Sequence, residues 1–393
     1  MLDNSRMSSA SPLPPVERVR PGLWSIPVPL PNSSLRYVFV YAFETDRGVY
    51  IVDAGWNTDE AFESLSAGLA EAGASMSDVR GVMVTHIHPD HYGLAGRVRD
   101  ASGAWISLHP ADAALIADRY DEPAGLLEQV GTMLRRLGAP AAEMVSLQRA
   151  AMPLRALVDA VQPDILLEDG EKPEVPGWDL SAIWTPGHSP GHLCFWEPRY
   201  QLMLSGDHVL PRITPNIPFH PQAGDDPLGD FLESLDKLEH YEADEVLPAH
   251  EHRFVGLQGR LEELRVHHQH RFEEIVVAIG DGVTTAWGIA ERMHWSRSWD
   301  RIEGFMRRAA VAEAMAHLRT LERRGVLHEA MGEPSTWTLA RNGDEATPQQ
   351  TTAADHDHDH EHGHEHGHTH EHGQHSHHHH ADEHGTTGDQ HGR

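Results

Sequence analysis

Three histidines and one aspartate lie within six residues of one another in the segment THIHPDHYG, residues 85–93. The segment follows VRGVMV, an apolar run that is typical of a buried β-strand. Because side chains two residues apart in an extended chain face the same way, His86 and His88 can bind one metal ion. Asp90 and His91 would project from the turn that follows and could bind a second ion. Imidazole and carboxylate groups are good zinc ligands, so this segment predicts a zinc site.

The sequence resembles the metallo-β-lactamase superfamily, whose signature H-x-H-x-D-H is matched in full by residues 86–91. Later segments resemble further motifs of that family in the expected order, and each follows an apolar, strand-like run. These segments are TPGHSPGH at 185–192, LSGDHVL at 204–210 and LPAHE at 247–251. The resemblance implies that their metal ligands are His188, Asp207 and His250.

By the same resemblance, the site holds two metal ions, and Asp207 bridges them. The other ligands are predicted to be His86, His88 and His188 for one ion, and Asp90, His91 and His250 for the second. VYIVDAG resembles an early motif of the family, which implies that Asp53 supports the site without binding metal. His192 is expected to be structural. Zinc is the expected metal in both positions, with iron or manganese as alternatives.

Such a site predicts a hydrolase. Two divalent ions that share a water can lower its pKa toward about 7, which provides metal-bound hydroxide at neutral pH. The hydroxide would attack an electrophilic carbonyl or phosphorus atom while the ions stabilise the developing negative charge. Asp90 is predicted to be catalytic, because its carboxylate could orient the water or relay its proton. No Ser-His-Asp or Cys-His arrangement is evident in the sequence.

Two substrate classes fit this chemistry. A leucine-rich helical insert at 110–160 would cover the site as a lid and favour an acyl ester, thioester or lactone, unless its helices simply pack on the core or form a dimer interface. The region from residue 256 resembles the winged-helix extension of the β-lactamase-like protein 2 group, which includes an endoribonuclease. Residues 260–340 contain 11 Arg, no Lys and 12 acidic residues, too balanced a charge for a face that follows phosphates. We therefore favour a small-molecule acyl substrate over (ribo)nuclease activity.

Strand-like and helical runs alternate around the motifs, which indicates an α/β protein. The resemblance implies a four-layer αββα sandwich with the site at one edge of its two sheets, followed by an all-α-like winged-helix domain. The predicted segments are a disordered leader at 1–20, the metallo-β-lactamase domain at 21–255, the winged helix at 256–340 and a disordered His-rich tail at 341–393.

The composition limits the partners and the location of the chain. The formal net charge is −29, which disfavours general nucleic-acid binding. The single cysteine, Cys194, cannot form an intramolecular disulfide and is expected to be a buried, inert thiol. No signal peptide or membrane-spanning run is evident, so we predict a cytoplasmic protein without membrane contact. The acidic winged helix suggests a homodimer.

The C-terminal tail is a separate candidate for metal binding. Residues 355–393 hold 16 of the 33 histidines, interleaved with acidic residues and glycines. This composition cannot form a core and predicts disorder. Alternating His and carboxylate side chains would bind extra metal weakly and could supply the active site. A tract without function and a purification tag are the alternatives.

Overall fold

The computed structural model describes residues 13–30 and 33–340, and the predicted His-rich tail and most of the predicted leader lie outside these ranges. A seven-stranded sheet runs in chain order from β1 to β7. Its first four strands are antiparallel and the later ones are parallel. The strands are β1 (Glu17–Arg20), β2 (Leu23–Pro29), β3 (Tyr37–Thr45), β4 (Gly48–Val52), β5 (Val79–Met83), β6 (Trp105–Leu108) and β7 (Ile165–Leu166).

A four-stranded sheet has the order β11-β10-β9-β8, in which only the β10–β11 pair is parallel. These strands are β8 (Ser181–Trp184), β9 (Leu193–Glu197), β10 (Leu202–Gly206) and β11 (Glu245–Pro248). The helices in the first part of the chain are α1 (Asp59–Glu71), α2 (Pro89–Tyr92), α3 (Ala95–Ser102), α4 (Pro110–Ala113), α5 (Ala124–Leu137), α6 (Met144–Arg149) and α7 (Pro227–Leu238).

The C-terminal part of the described residues consists of three α-helices followed by a β-hairpin. They are α8 (Leu257–Gly280), α9 (Ala286–Arg292), α10 (Gly304–Arg323), and the antiparallel strands β12 (Leu327–Ala330) and β13 (Thr336–Leu339). The assignment of this region as a winged helix stays a prediction.

Strand β3 shows how the layers pack, because its side chains alternate between the two faces of the sheet. Val38 and Val40 share a hydrophobic cluster with Leu65 of α1. Phe39, Tyr41 and Phe43 point from the opposite face and share another cluster with Phe195 of the second sheet. The two sheets therefore pack face to face, and helices cover the outer face of the first.

The outer face of the second sheet carries the third hydrophobic cluster. Cys194 of β9 and Met203 of β10 pack there with Phe231 of α7 and Leu261 of α8. Burial raises the pKa of the Cys194 thiol to about 12, as expected for an inert cysteine. The order of layers is helix, sheet, sheet, helix, which is the four-layer arrangement that the sequence predicts.

The N-terminal strand β1 differs from the predicted leader, which extended to residue 20. Three of its four residues pair with β2 at the edge of the sheet, with an irregularity at Val19. They are mostly polar and therefore give a weak strand signal, but two ion pairs hold them in place. Arg20 lies 3.1 Å from Glu245, and Glu17 lies 2.7 Å from Arg253.

The predicted domain boundary near residue 255 does not interrupt the core. Val246 of β11 and Leu264 of α8 belong to the same hydrophobic cluster, which also contains Leu134 of α5. All described residues fall into one compact unit. No helix in the described ranges has the length and hydrophobicity needed to cross a membrane.

Candidate metal centre

The seven predicted ligands lie where strands of both sheets end. His86 follows β5, His188 follows β8, Asp207 follows β10 and His250 follows β11. Backbone hydrogen bonds join these ends: the amide of Leu193 donates to the carbonyl of Thr85 at 2.8 Å, and that of Ala249 donates to Gly206 at 3.0 Å. The structure thus brings together, at one edge of the sandwich, residues that are far apart in the chain.

Three imidazoles form the first group, with the same members that the resemblance implied for one ion. Nδ1 of His88 lies 2.9 Å from Nε2 of His86 and 2.9 Å from Nε2 of His188. Burial, followed by the neighbouring histidines, lowers the pKa of His86 well below its usual value. Burial also lowers the pKa of His88 and His188. All three rings are therefore neutral near pH 7, which is the form that binds metal.

Asp90, His91 and His250 form the second group, again as the resemblance implied. Nε2 of His250 lies 3.4 Å from a carboxylate oxygen of Asp90. The Asp207 carboxylate lies between the groups, with its oxygens 3.2 Å from Nε2 of His250 and 3.5 Å from Nε2 of His188. This position suits the bridging role predicted for Asp207.

The electrostatics of these residues fit divalent cations. Nε2 of His91, Nε2 of His250 and Oδ1 of Asp207 are buried and make no well-aligned hydrogen bond among the described residues, although the last two lie 3.2 Å apart. Buried polar atoms are costly unless they bind something. Burial opposes protonation of His250, yet Asp207 and Asp90 raise its pKa to about 10. The site is strongly negative and favours positive charge, and the donor set fits two divalent metal ions.

Asp53 orients His91 from behind. Its oxygens accept hydrogen bonds from the amide of Thr85 at 2.8 Å and from the Thr85 hydroxyl at 3.0 Å. The other partner is Nδ1 of His91, at 2.8 Å, which directs Nε2 of that ring into the site. Asp53 has a φ of 63°, a left-handed conformation that Asp tolerates better than most residues. The supporting role implied for Asp53 agrees with these contacts.

Backbone carbonyls orient two other ligands in the same way. Nδ1 of His188 donates to the carbonyl of Asn216 at 2.8 Å, and Nδ1 of His250 donates to that of Tyr37 at 2.9 Å. His192 uses both ring nitrogens within the protein, at 2.9 Å from the Thr185 hydroxyl and 3.1 Å from the amide of Asp207. His192 therefore supports the site rather than offering a ligand atom, as predicted.

Asp112 is a positioning residue that lies within the predicted helical insert and belongs to none of the motifs. It is completely buried, and one of its oxygens accepts from the amide of Ile87 at 2.9 Å and the hydroxyl of Ser189 at 2.8 Å. The other oxygen accepts from the amide of Gly191 at 2.7 Å. This carboxylate joins the two segments that carry the first group of histidines. Its signal in the sequence is an aspartate shortly after a strand end, as for Asp53.

Comparison with known proteins agrees with the geometry. The model of the metallo-beta-lactamase superfamily matches residues 34–250, which is more than half of the chain. The crystal structure of the metallo-beta-lactamase family protein TTHA1429 from Thermus thermophilus superposes with a TM-score of 0.72 at 31% identity, covering 82% of this chain and 100% of that one.

Two curated relatives are also similar. The probable metallo-hydrolase YqjP of Bacillus subtilis is 26% identical over 68% of this chain and 84% of its own length. The atrochrysone carboxyl ACP thioesterase dmxR1 of a Cryptosporiopsis species is 23% identical over 66% of this chain and 63% of its own length. Together with the ligand geometry, these matches show that the chain is a metal-dependent hydrolase that belongs to the metallo-β-lactamase superfamily.

Proposed function

We propose that the protein is a di-zinc enzyme that hydrolyses an acyl ester, thioester or lactone. The observation that carries this choice is the position of the helical insert against the metal motif. The Tyr120 hydroxyl donates to the carbonyl of Ile87, between two predicted ligands, at 2.7 Å. At the other end of the insert, the carbonyl of Leu157 accepts from the amide of Asn57 at 2.8 Å. An insert in this position favours a small substrate over a polymer.

Zinc is proposed because five imidazoles and two carboxylates make up the donor set. When bound, two such ions supply Lewis-acid activation of a water and of the substrate carbonyl. We assign proton transfer from that water to Asp90, whose carboxylate is partly exposed toward solvent. Both oxygens of Asp53 are already engaged by Thr85 and His91, which leaves Asp90 as the better proton acceptor.

An apolar cavity supports an acyl substrate. It has a volume of about 510 Å³ and lies between α5, α10 and the C-terminal hairpin. Met133, Met315, Trp337 and Phe219 supply the apolar part of its lining, and the paired side chains of Arg319 and Glu329 also line it. A cavity of this size and lining suits an acyl chain. The similarity to a fungal thioesterase points to the same substrate class.

The nuclease alternative has weaker support, because two of the three arginines in the small basic cluster at the end of α10 are already paired with carboxylates. Arg319 lies 2.9 Å from Glu329, and Arg323 lies 3.2 Å from Asp225. The guanidinium of Arg324 lies over the ring of Phe272. Arginines that are paired in this way offer little charge to a phosphate backbone.

Hydrolysis by the zinc-loaded protein tests the proposal, with acyl-thioesters, lactones, simple esters and a structured RNA as substrates and His86→Ala as the control. We expect turnover of at least one acyl substrate, and its loss in the variant. RNA cleavage without activity on any acyl substrate would reverse the assignment and make the C-terminal helices a nucleic-acid element.

A further inference from the structure

The loop at residues 211–226 connects the metal centre to the C-terminal helices. It accepts a hydrogen bond from His188 at the carbonyl of Asn216, and the amide of Phe219 donates to the carbonyl of Ala312 in α10 at 3.0 Å. The insert reaches the same place through Tyr120. Three segments that are far apart in sequence therefore meet beside the metal centre, and each brings a basic side chain: Arg119, His220 and Arg308.

The contacts of Arg119 leave hydrogen-bond donors without acceptors. Its Nε donates to Oε1 of Gln222 at 2.9 Å, and its Nη2 lies 3.3 Å from Nε2 of His220. The backbone amide of Gln222 donates to Nδ1 of His220 at 3.2 Å, so the proton of the neutral imidazole lies on Nε2. Two donors thus face each other. In addition, Nε2 of Gln222 is buried and has no hydrogen-bond partner among the described residues.

The positive charge of this group is not neutralised by the protein. Within the described ranges, neither Arg119 nor Arg308 has a carboxylate oxygen within 4.0 Å, whereas the adjacent Arg307 lies 2.9 Å from Glu143. The guanidinium of Arg308 makes one long hydrogen bond, of 3.4 Å, to the carbonyl of Leu147, and it lies 5.5 Å from the centre of the Phe305 ring, which does not neutralise its charge. Burial, and then the charge of Arg119, lowers the pKa of Arg308 to about 10. Two partly buried cations that repel each other in this way are unfavourable unless an anion joins them.

We propose that Arg119, His220, Gln222 and Arg308 form an anion subsite that binds a carboxylate or phosphate group of the acyl substrate. This inference rests on the proposed function and specifies its substrate class: the substrate carries a negative charge in addition to the scissile acyl bond. Guanidinium groups match the geometry of both oxyanions. In a chain with a net charge of −29, two arginines beside the active site that have no carboxylate partner in the described ranges select such substrates.

Anion binding to the zinc-loaded full chain tests the subsite without any turnover. Isothermal titration calorimetry would give the Kd of succinate and of inorganic phosphate for the wild type, for Arg119→Gln/Arg308→Gln, and for Arg47→Gln. Arg47 is a suitable control because it is an exposed arginine paired with Glu174 at the opposite end of β4. We expect the double variant to raise the Kd of at least one anion by about 10-fold or more, and the control to leave it unchanged.

The anion whose Kd responds identifies the charged group of the substrate. If the glutamine variant folds poorly, the double variant Arg119→Lys/Arg308→Lys takes its place. It keeps both charges but loses the planar set of guanidinium donors, so we expect it to raise the Kd above that of the wild type by a smaller factor. Equal Kd values in the wild type and both double variants, or no saturable binding of either anion to the wild type, would overturn the proposal.

A matched pair of esters tests the same subsite in catalysis. Phenyl butyrate and monophenyl succinate differ only in a terminal methyl against a carboxylate. In the glutamine double variant, KM for monophenyl succinate should rise about 10-fold while KM for phenyl butyrate is unchanged. Equal changes for both esters would contradict the subsite. If the wild type hydrolyses no acyl substrate, the proposed function fails, while the Kd values still decide whether the anion subsite exists.

Discussion

The Asp90 carboxylate is held by two histidines and is the group to which we assign proton transfer. Burial opposes its ionisation, but His91 and His250 outweigh burial and lower its pKa to about 2, so the carboxylate is ionised and suited to orienting the water and relaying its proton rather than keeping it. We expect Asp90→Asn, which keeps the shape of the side chain but cannot accept a proton, to lower kcat by about 10²- to 10⁴-fold. Asp100→Asn, an exposed aspartate on α3, is the control. Steady-state kinetics with metal content measured in parallel would check this, and full kcat at normal metal content would disprove the role.

Asp112 should matter for the metal site although it offers no ligand atom to it. Its oxygens accept three hydrogen bonds, from Ile87, Ser189 and Gly191. In Asp112→Asn, the side-chain nitrogen is a donor and would face at least one of these three donors. We therefore expect a free energy of unfolding lower by about 1–3 kcal/mol and weaker metal retention. Urea unfolding and a chelator competition would measure both effects.

The matched control for this change is Asp118→Asn, because Asp118 lies in the same insert but is exposed. If Asp112→Asn lowers stability and leaves metal retention equal to that of the control, then Asp112 supports the fold without positioning the histidines.

The middle of the insert is built into the core, which bears on whether it moves as a lid. Leu134 of α5 is completely buried in the cluster formed with α8 and α10. We expect Leu134→Ala to lower the free energy of unfolding by about 2–5 kcal/mol, as for other buried leucines. Val145→Ala in α6 is the control, because that side chain is 66% exposed. Chemical denaturation would measure both. A similarly small loss in each variant would indicate an insert that detaches from the body as a lid.

Helix α10 supports the metal centre through a buried carboxyl group. Oε2 of Glu313 accepts from Nδ2 of Asn216, at 2.8 Å, and Asn216 in turn binds His188. Burial raises the pKa of Glu313 to about 7, with Arg271 and Asn216 acting in the opposite direction. A raised pKa in the folded state means that the wild type loses stability as the pH rises from about 4.5 to about 7.

Glu313→Gln keeps the hydrogen bond from Asn216 and removes this ionisation. The quantity to compare is the free energy of unfolding of the variant minus that of the wild type. We expect this difference to be higher at pH 8 than at pH 5 by about 1–3 kcal/mol. Urea unfolding at the two pH values gives the comparison. The same difference between the two proteins at both pH values would show that Glu313 does not titrate in this range.

Features of this molecule that are encoded by neighbouring residues could be predicted from the sequence, whereas contacts between residues far apart in the chain could not. The residues that converge at the candidate metal centre were predictable because each lies in a short motif directly after an apolar strand, and the strands were predictable from alternation such as that of β3. The anion subsite was not, because Arg119 and Gln222 are 103 positions apart and neither lies in a motif. The edge strand β1 lies in the predicted leader, because its polar sequence gives a weak strand signal and the ion pairs that stabilise it join residues far apart in the chain. Contacts of this kind exist only once the layers have packed.

The His-rich tail is proposed to act on another part of the chain, because it would supply zinc to the metal centre. It contains 16 histidines, and exposed histidines in general are mostly neutral at pH 7, which is the form that binds zinc. Tethered weak sites would raise the concentration of zinc near the centre without competing with its seven converging ligands. We expect deletion of residues 355–393 to lower the zinc content of protein that is loaded at limiting zinc, and to leave it unchanged at excess zinc.

A variant with every tail histidine replaced by asparagine is the matched control, since it keeps the length and the acidic residues. Elemental analysis of all three proteins after loading at several zinc concentrations would separate the contributions. If the histidines act as a reservoir, the substituted tail should behave like the deletion, and both should reach half occupancy at a higher zinc concentration than the wild type. Superimposable loading curves would leave the tail without a part in metal supply.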